Sequence, residues 1–201
     1  MAKTILVIGG RGDIGKSVIE ELLKQDNFVI ASTRSLTSKL DLDPRINWFE
    51  LDLASKSGWK NQLSKVVQET NEINGLVVAS GIVHDGFSLL TRESNLEEIL
   101  RVNFENVLNV TLEISRRYLT RGLNSIVLLS STSGLNPDGG RLVYGSSKAA
   151  LSHASKILAR ELGAKGIRVN CVSPGLIESR MLNNNMASSL KKDLQSRIFL
   201  R

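Results

Sequence analysis

Thr4-Ile5-Leu6-Val7-Ile8-Gly9-Gly10-Arg11-Gly12-Asp13-Ile14-Gly15 opens the chain within a few residues of its start. Ile5 to Ile8 is an unbroken apolar run, as expected of a parallel strand buried on both faces, and the glycines end it. Beyond them the period changes. Ile14, Val18 and Leu22 recur on one stripe, which predicts a helix over Ile14–Gln25. Strand, glycine turn and helix in this order make the first half of a βαβ unit. Glycines at 9, 12 and 15 supply a tight bend, close backbone approach to a pyrophosphate, and close packing of helix on strand. The amides at the helix start are then available to phosphate oxygens. Gly9, Arg11, Gly12, Asp13, Ile14 and Gly15 are therefore expected to cradle a dinucleotide. A glycine triplet by itself is a weak signal, because any sharp strand–helix turn can use one.

The rest of the chain repeats the alternation. Strands are predicted at Thr4–Gly9, Phe28–Thr33, Ile46–Leu51, Gly75–Ala79, Ser125–Ser130 and Ile167–Val172. Leu96–Arg121 reads as a long amphipathic helix or two helices with a bend, and Leu142–Leu162 as another long helix. Strands alternating with helices imply right-handed βαβ units. The expected architecture is a three-layer doubly wound Rossmann fold of the α/β class with a mostly parallel sheet. No repeat, low-complexity tract or linker divides residues 1–201, so a single domain is expected.

Composition narrows the function classes. Hydrophobic residues make up 41% and charged residues 23% of 201, which suits a globular protein. No apolar run is long enough to span a bilayer, and the first strand is too short for a signal peptide, so no membrane association and a cytoplasmic location are expected. Cys171 is the single cysteine, which excludes an internal disulfide and a cysteine-cluster metal site. No metal is expected. Its neighbours Val169 and Val172 predict a buried, inert thiol. The net charge of +6 favours anionic partners. Sparse aromatics and the lack of a basic run argue against nucleic acid, and leave a phosphate-rich cofactor or an acidic carrier protein.

The end of the second strand bears on which cofactor. A carboxylate there would hydrogen-bond a ribose 2′-hydroxyl and repel a 2′-phosphate. This chain has Ser32-Thr33-Arg34-Ser35 instead, and Arg34, with Arg11 nearby, can pair with a 2′-phosphate. NADP (as NADPH) is preferred, with NAD as the alternative. After the third strand comes Leu51-Asp52-Leu53. Asp52 can accept a hydrogen bond from an adenine amino group or cap a helix starting near Ala54.

Tyr144 and Lys148 share a helix face at four-residue spacing. Ser131 lies at the end of the fifth strand, and Asn103 within the preceding long helix. Each alone is unremarkable. In sequence order, however, a glycine loop, Asn103, Ser131, Tyr144-Gly-Ser-Ser-Lys148 and Pro174-Gly175 make a specific set. With Leu51-Asp52-Leu53, Val78-Ala79-Ser80-Gly81, Val102-Asn103, Leu129-Ser130-Ser131 and Arg168-Val-Asn-Cys-Val-Ser-Pro-Gly175, the chain resembles the short-chain dehydrogenase/reductase family from Thr4 to about Met181. Within that family it is most similar to the 3-oxoacyl-[acyl-carrier-protein] reductases, through Gly81–Gly86 and Glu161–Asn170.

The resemblance implies an oxidoreductase of ketones and secondary alcohols with Asn103, Ser131, Tyr144 and Lys148 as its catalytic tetrad. A carbonyl that receives hydride at carbon needs a proton and donors at oxygen. Ser131 can donate to that oxygen, and Tyr144 can donate and then deliver its proton. An ammonium at about 4 Å is worth about 4 kcal/mol at an effective dielectric near 20. On that basis Lys148 is expected to bring the Tyr144 phenol, ordinarily near pKa ~10, toward neutrality. Lys148 can also hold the nicotinamide ribose, and the family's asparagine anchors a water relay. By the same resemblance Leu53, Ala79, Gly81, Pro174, Gly175, Ile177 and Ser179 line the cofactor, with Ser179 supplying a hydroxyl where the family usually has threonine.

The chain departs from the pattern in three places. Asp13 stands where a glycine is usual, and Val78-Ala79-Ser80-Gly81 stands where the family commonly has Asn-Asn-Ala-Gly, which loses an amide side chain that braces the central sheet. The family continues through a further helix and strand, whereas this sequence stops at Arg197-Ile198-Phe199-Leu200-Arg201, so six strands are expected, with the sixth at the edge. A homo-oligomer is expected, a dimer more than a tetramer. The leading substrate is a 3-oxoacyl thioester, either a small molecule or bound to a carrier. Arg121 and Lys165 are then candidate docking charges or simply solvated. Oxidation of a sugar, steroid or other alcohol is the second reading, on which Val83–Leu90, His84 and Leu182–Leu194 do not decide. A non-catalytic cofactor-binding homologue is the third.

Overall fold

A computed structural model describes residues 2–36 and 43–179. The pocket segment Leu182–Leu194 and the terminal Arg197–Arg201 lie outside the described residues. Among the described residues six strands form one parallel sheet: β1 (Thr4–Ile8), β2 (Phe28–Thr33), β3 (Ile46–Glu50), β4 (Gly75–Val78), β5 (Ser125–Leu129) and β6 (Arg168–Val172). Their order is β3-β2-β1-β4-β5-β6. Register is continuous, with Leu6 beside Ile30 on one side and Leu76 on the other. The order reverses between β1 and β4, and in such sheets ligands bind at the carboxyl ends of the strands beside that reversal.

The helices are α1 (Asp13–Lys24), α2 (Gly58–Glu69), α3 (Glu93–Leu100), α4 (Asn106–Tyr118) and α5 (Leu142–Gly163). A small core lies under α1, where Val7, Ile19, Val29 and Ala31 are buried. The buried stripe of α1 runs through Gly15 and Ile19, with Val18 and Leu22 at its flank. It is therefore rotated from the Ile14–Val18–Leu22 stripe of the sequence reading, because Gly15 must face the turn. The larger core, on the other face, packs α2, α4 and α5 against Leu6, Ile8, Leu76, Ile126 and Leu128.

Two sequence expectations change. The long helix over Leu96–Arg121 is two α-helices joined by a wider π-type turn at Arg101–Glu105, the kind of irregularity that recurs at functional sites. Cys171 is only partly buried, since β6 pairs with β5 alone among the described strands.

Candidate active site

The glycine turn links β1 to α1 through backbone contacts. Gly9 has φ +86°, a left-handed conformation, and a side chain there would strike Ser80 Oγ at 2.7 Å. Gly15 lies against the Gly9 carbonyl so closely that no Cβ fits. The Gly12 amide donates to the Gly9 carbonyl at 3.0 Å, and Gly12 caps α1 without a side-chain hydrogen bond. A cradle closed to side chains, ending at a helix start that no side chain caps, fits a pyrophosphate. Sequence reasoning missed Ser32. Its Oγ accepts from the Gly9 amide at 2.9 Å and its carbonyl from the Gly10 amide at 2.9 Å, which pins the turn to β2. Only the position of a hydroxyl inside a strand end signalled it.

Arg34 is exposed just past β2, and Arg11 is half-buried in the turn. Asp52 Oδ1 accepts from the Ala54 amide at 3.0 Å, while α2 begins only at Gly58. Asp52 thus closes a local turn and is not the cap of that helix. Leu53 is buried, and its carbonyl accepts from Asn106 Nδ2 at 2.8 Å. The Ala79 amide continues the sheet to the Ile8 carbonyl at 2.8 Å. Pro174 is placed beside the end of β5, where its carbonyl accepts from the Thr132 amide at 3.0 Å. Gly175 and Ile177 are exposed, whereas Ser179 is half-buried and engaged with its surroundings.

Asn103 and Lys148 meet beside Gly81, and Tyr144 lies near Lys148 and Ser131. A Cβ on Gly81 would lie 3.3 Å from Lys148 Nζ and 3.4 Å from Asn103 Oδ1. Asn103 sits in the π-type turn, fully buried, and bonds both backbone groups of Ile82 at 2.8 Å. Ser131 Oγ accepts from the Ser133 amide at 3.2 Å, which leaves its proton free to be donated, and it lies within hydrogen-bonding reach of Tyr144. Lys148 Nζ donates to the Leu129 carbonyl at 2.8 Å. Ser130 Oγ donates to the Lys148 carbonyl at 2.8 Å and accepts from Ser152 Oγ at 2.9 Å, fixing α5 on the end of β5.

The electrostatics correct one expectation. Burial pushes the Tyr144 phenol above its ordinary pKa, opposed by the Ser131 hydrogen bond and by the Arg141 guanidinium. Arg141 is the nearer cation, its guanidinium carbon 5.5 Å from the centre of the Tyr144 ring. Lys148 Nζ is 6.0 Å from the same centre, and burial lowers its own pKa to about 8. The expected pocket segment Val83–Leu90 lines a cleft of about 190 Å³ through His84, Asp85, Phe87 and Leu90, and Leu142 and Val143 of α5, which the sequence reading did not place there, line it too. His84 lies 3.3 Å from Glu98 at its rim.

A doubly wound parallel sheet, a glycine cradle at its switch point and buried hydroxyls beside it define a dinucleotide-dependent oxidoreductase. Residues 3–189 match the family model described as short chain dehydrogenase, and the chain belongs to that family. It is 31% identical over 186 residues to the 3-oxoacyl-[acyl-carrier-protein] reductase FabG of Thermotoga maritima, covering 89% of this chain and 76% of that protein. It is 28% identical over 202 residues to the acetoacetyl-CoA reductase of Allochromatium vinosum, covering 94% and 82%. Among solved structures, 4-hydroxyisoleucine dehydrogenase complexed with NADH and succinate superposes with a TM-score of 0.86 at 26% identity, covering 98% and 83%. ElxO with NADP bound gives 0.80 at 26% identity, covering 98% and 79%. The protein is an NAD(P)-dependent oxidoreductase of the ketone–alcohol type. Among the described residues no helix is long and apolar enough to cross a membrane.

Proposed function

We propose that this protein reduces the keto group of a 3-oxoacyl thioester with NADPH, and that Tyr144 passes the proton to the carbonyl oxygen. The observation that carries the reading is the pairing of two hydroxyls, Ser131 at the exit of β5 and Tyr144 on α5, near Lys148. The bound dinucleotide supplies the hydride. Ser131 donates to the developing oxyanion and Tyr144 donates and releases its proton there. Lys148 offers ammonium protons toward the cofactor ribose while the Leu129 carbonyl holds it, and Asn103 fixes the chain at Ile82 beside it. Gly9, Arg11, Gly12, Asp13, Ile14 and Gly15 hold the pyrophosphate. Arg34 takes the 2′-phosphate, while Asp52, Leu53, Ala79, Gly81, Pro174, Gly175, Ile177 and Ser179 complete the cofactor groove.

The thioester assignment draws on the named relatives and on the apolar rim of the cleft, where Phe87, Leu89, Leu90 and Leu142 are exposed. Arg121 and Lys165 are both exposed, and with the +6 charge they suit an acidic carrier. We place the chain as one catalytic unit over 1–201, acting in the cytoplasm in fatty acid synthesis as a homo-oligomer. A panel of ketones, small 3-oxoacyl thioesters and carrier-bound thioesters, each with NADPH and NADH, tests this. The thioesters with NADPH are expected to have the highest kcat/KM, and the carrier-bound form is expected to lose the most rate as salt rises. An identical salt response for both thioesters removes the docking role of Arg121 and Lys165. Oxidation of another secondary alcohol is the second reading, favoured by the likeness to 4-hydroxyisoleucine dehydrogenase, and a higher rate on a small hydroxy acid would select it.

A further inference from the structure

Asp85 and Arg141 form a buried ion pair beside Tyr144. Asp85 Oδ1 lies 3.3 Å from Arg141 Nε, with the two side chains only 6% and 10% exposed. Arg141 immediately precedes α5, and its guanidinium carbon is 5.5 Å from the centre of the Tyr144 ring. Arg141 Nη1 donates to Ser133 Oγ at 2.9 Å, and that hydroxyl donates to Asp138 Oδ2 at 2.8 Å. The Gly86 amide donates to the Gly140 carbonyl at 2.9 Å, joining the two loops that carry the pair. Both Asp85 carboxylate oxygens are buried, and the charge of Arg141 is the main attraction that opposes their desolvation. A pair of this kind is a weak source of stability, because desolvation offsets the attraction. Its position against the ring of the proton donor supplies another reason for it.

We propose that Asp85 and Arg141 act as positioning residues that set the charge balance at Tyr144, Arg141 favouring the phenolate and Asp85 both holding and tempering that cation. This rests on the reading of Tyr144 as proton donor. When Tyr144 Oη gives its proton to the substrate oxygen, the O–H bond of the phenol breaks, a new O–H bond forms on the alcohol, and the phenolate persists until water reprotonates it. Arg141 stabilises that interval. Lys148 on α5 also lies near the Tyr144 ring, at 6.0 Å from its centre, and Asp138 on the loop before α5 and His84 on the loop after β4 act on Asp85. Cys171 on β6 acts on Lys148. Burial raises the pKa of both Tyr144 and Asp85, and Arg141 opposes it in each case.

The chain has two tyrosines, so an ultraviolet difference titration against Tyr144→Phe isolates the Tyr144 phenol from Tyr118. A rapid pH jump reads it before the fold responds. Arg141→Gln is expected to raise the midpoint by about one pH unit, a tenfold change in acid dissociation. Asp85→Asn is expected to lower it, and the double variant, which has neither charge buried without its partner, to fall between them. Arg141→Lys keeps the cation and restores most of the wild-type midpoint. The acidic limb of kcat/KM for alcohol oxidation should move in the same directions. Unchanged midpoints, or single variants that move the midpoint the same way, overturn the pair whatever the rates do. Wild-type turnover by Tyr144→Phe overturns instead the proton-donor reading beneath it.

Discussion

Asn103 Oδ1 accepts from the Ile82 amide at 2.8 Å, and Asn103 Nδ2 donates to the carbonyl of the same residue at 2.8 Å. One side chain thus satisfies both backbone groups of a residue outside any strand, at the point where the chain leaves β4 for the site. The π-type turn at Arg101–Glu105 carries Asn103, and a 3.3 Å contact from Nδ2 to Ser147 Oγ extends the link to α5.

Asn103→Ala leaves the part-buried amide and carbonyl of Ile82 without these partners. Stability is expected to fall by about 2–4 kcal/mol, measured by urea unfolding. Asn103→Asp sets an acceptor against the Ile82 carbonyl, so at neutral pH it should cost at least as much. Wild-type stability in both variants would show that Asn103 does not brace this turn.

Lys148 makes stability depend on alkaline pH. Burial lowers its folded pKa from 10.5 to about 8, so between these values the unfolded chain holds the proton more tightly than the folded one. Where the unfolded state binds more protons, stability rises with pH. The wild type should therefore gain about 2–3 kcal/mol relative to Lys148→Met between pH 7 and pH 10. Urea midpoints for the two proteins at both pH values measure this, and parallel behaviour would contradict the buried-ammonium account.

Arg34 should discriminate the two nicotinamide cofactors. Loss of a charge-assisted contact to a 2′-phosphate is worth about 1.5–3 kcal/mol, so Arg34→Ala should weaken NADPH binding by about tenfold or more and leave NADH binding unchanged. Fluorescence titration with each cofactor reads the difference. Equal loss for both would remove the 2′-phosphate assignment.

The fold was legible because its decisive features are local. The apolar run from Ile5 to Ile8, its glycine turn and the following helix lie within the first 24 residues, and the later strands repeat the pattern. The order Asn103, Ser131, Tyr144, Lys148 could likewise be read along the chain. Partners distant in sequence could not. Ser32 on Gly9, Leu129 on Lys148 and Asp85 on Arg141 depend on which strand ends and loops meet in space. The expectation that the Tyr144 phenol would be lowered toward neutrality is corrected, because burial raises it. Helical spacing places Lys148 on the face of Tyr144, and its ammonium lies 6.0 Å from the ring centre while bonding the end of β5, but spacing could not show that Arg141 comes slightly closer, at 5.5 Å.

The central claim is that Tyr144 is the proton donor, paired with Ser131 beside the glycine cradle. Turnover of a 3-oxoacyl thioester with NADPH by Tyr144→Phe, which removes only the phenolic hydroxyl, tests it most directly. A fall in kcat of about 10²–10⁴-fold with unchanged NADPH affinity is predicted, while a kcat equal to that of the wild type would contradict it.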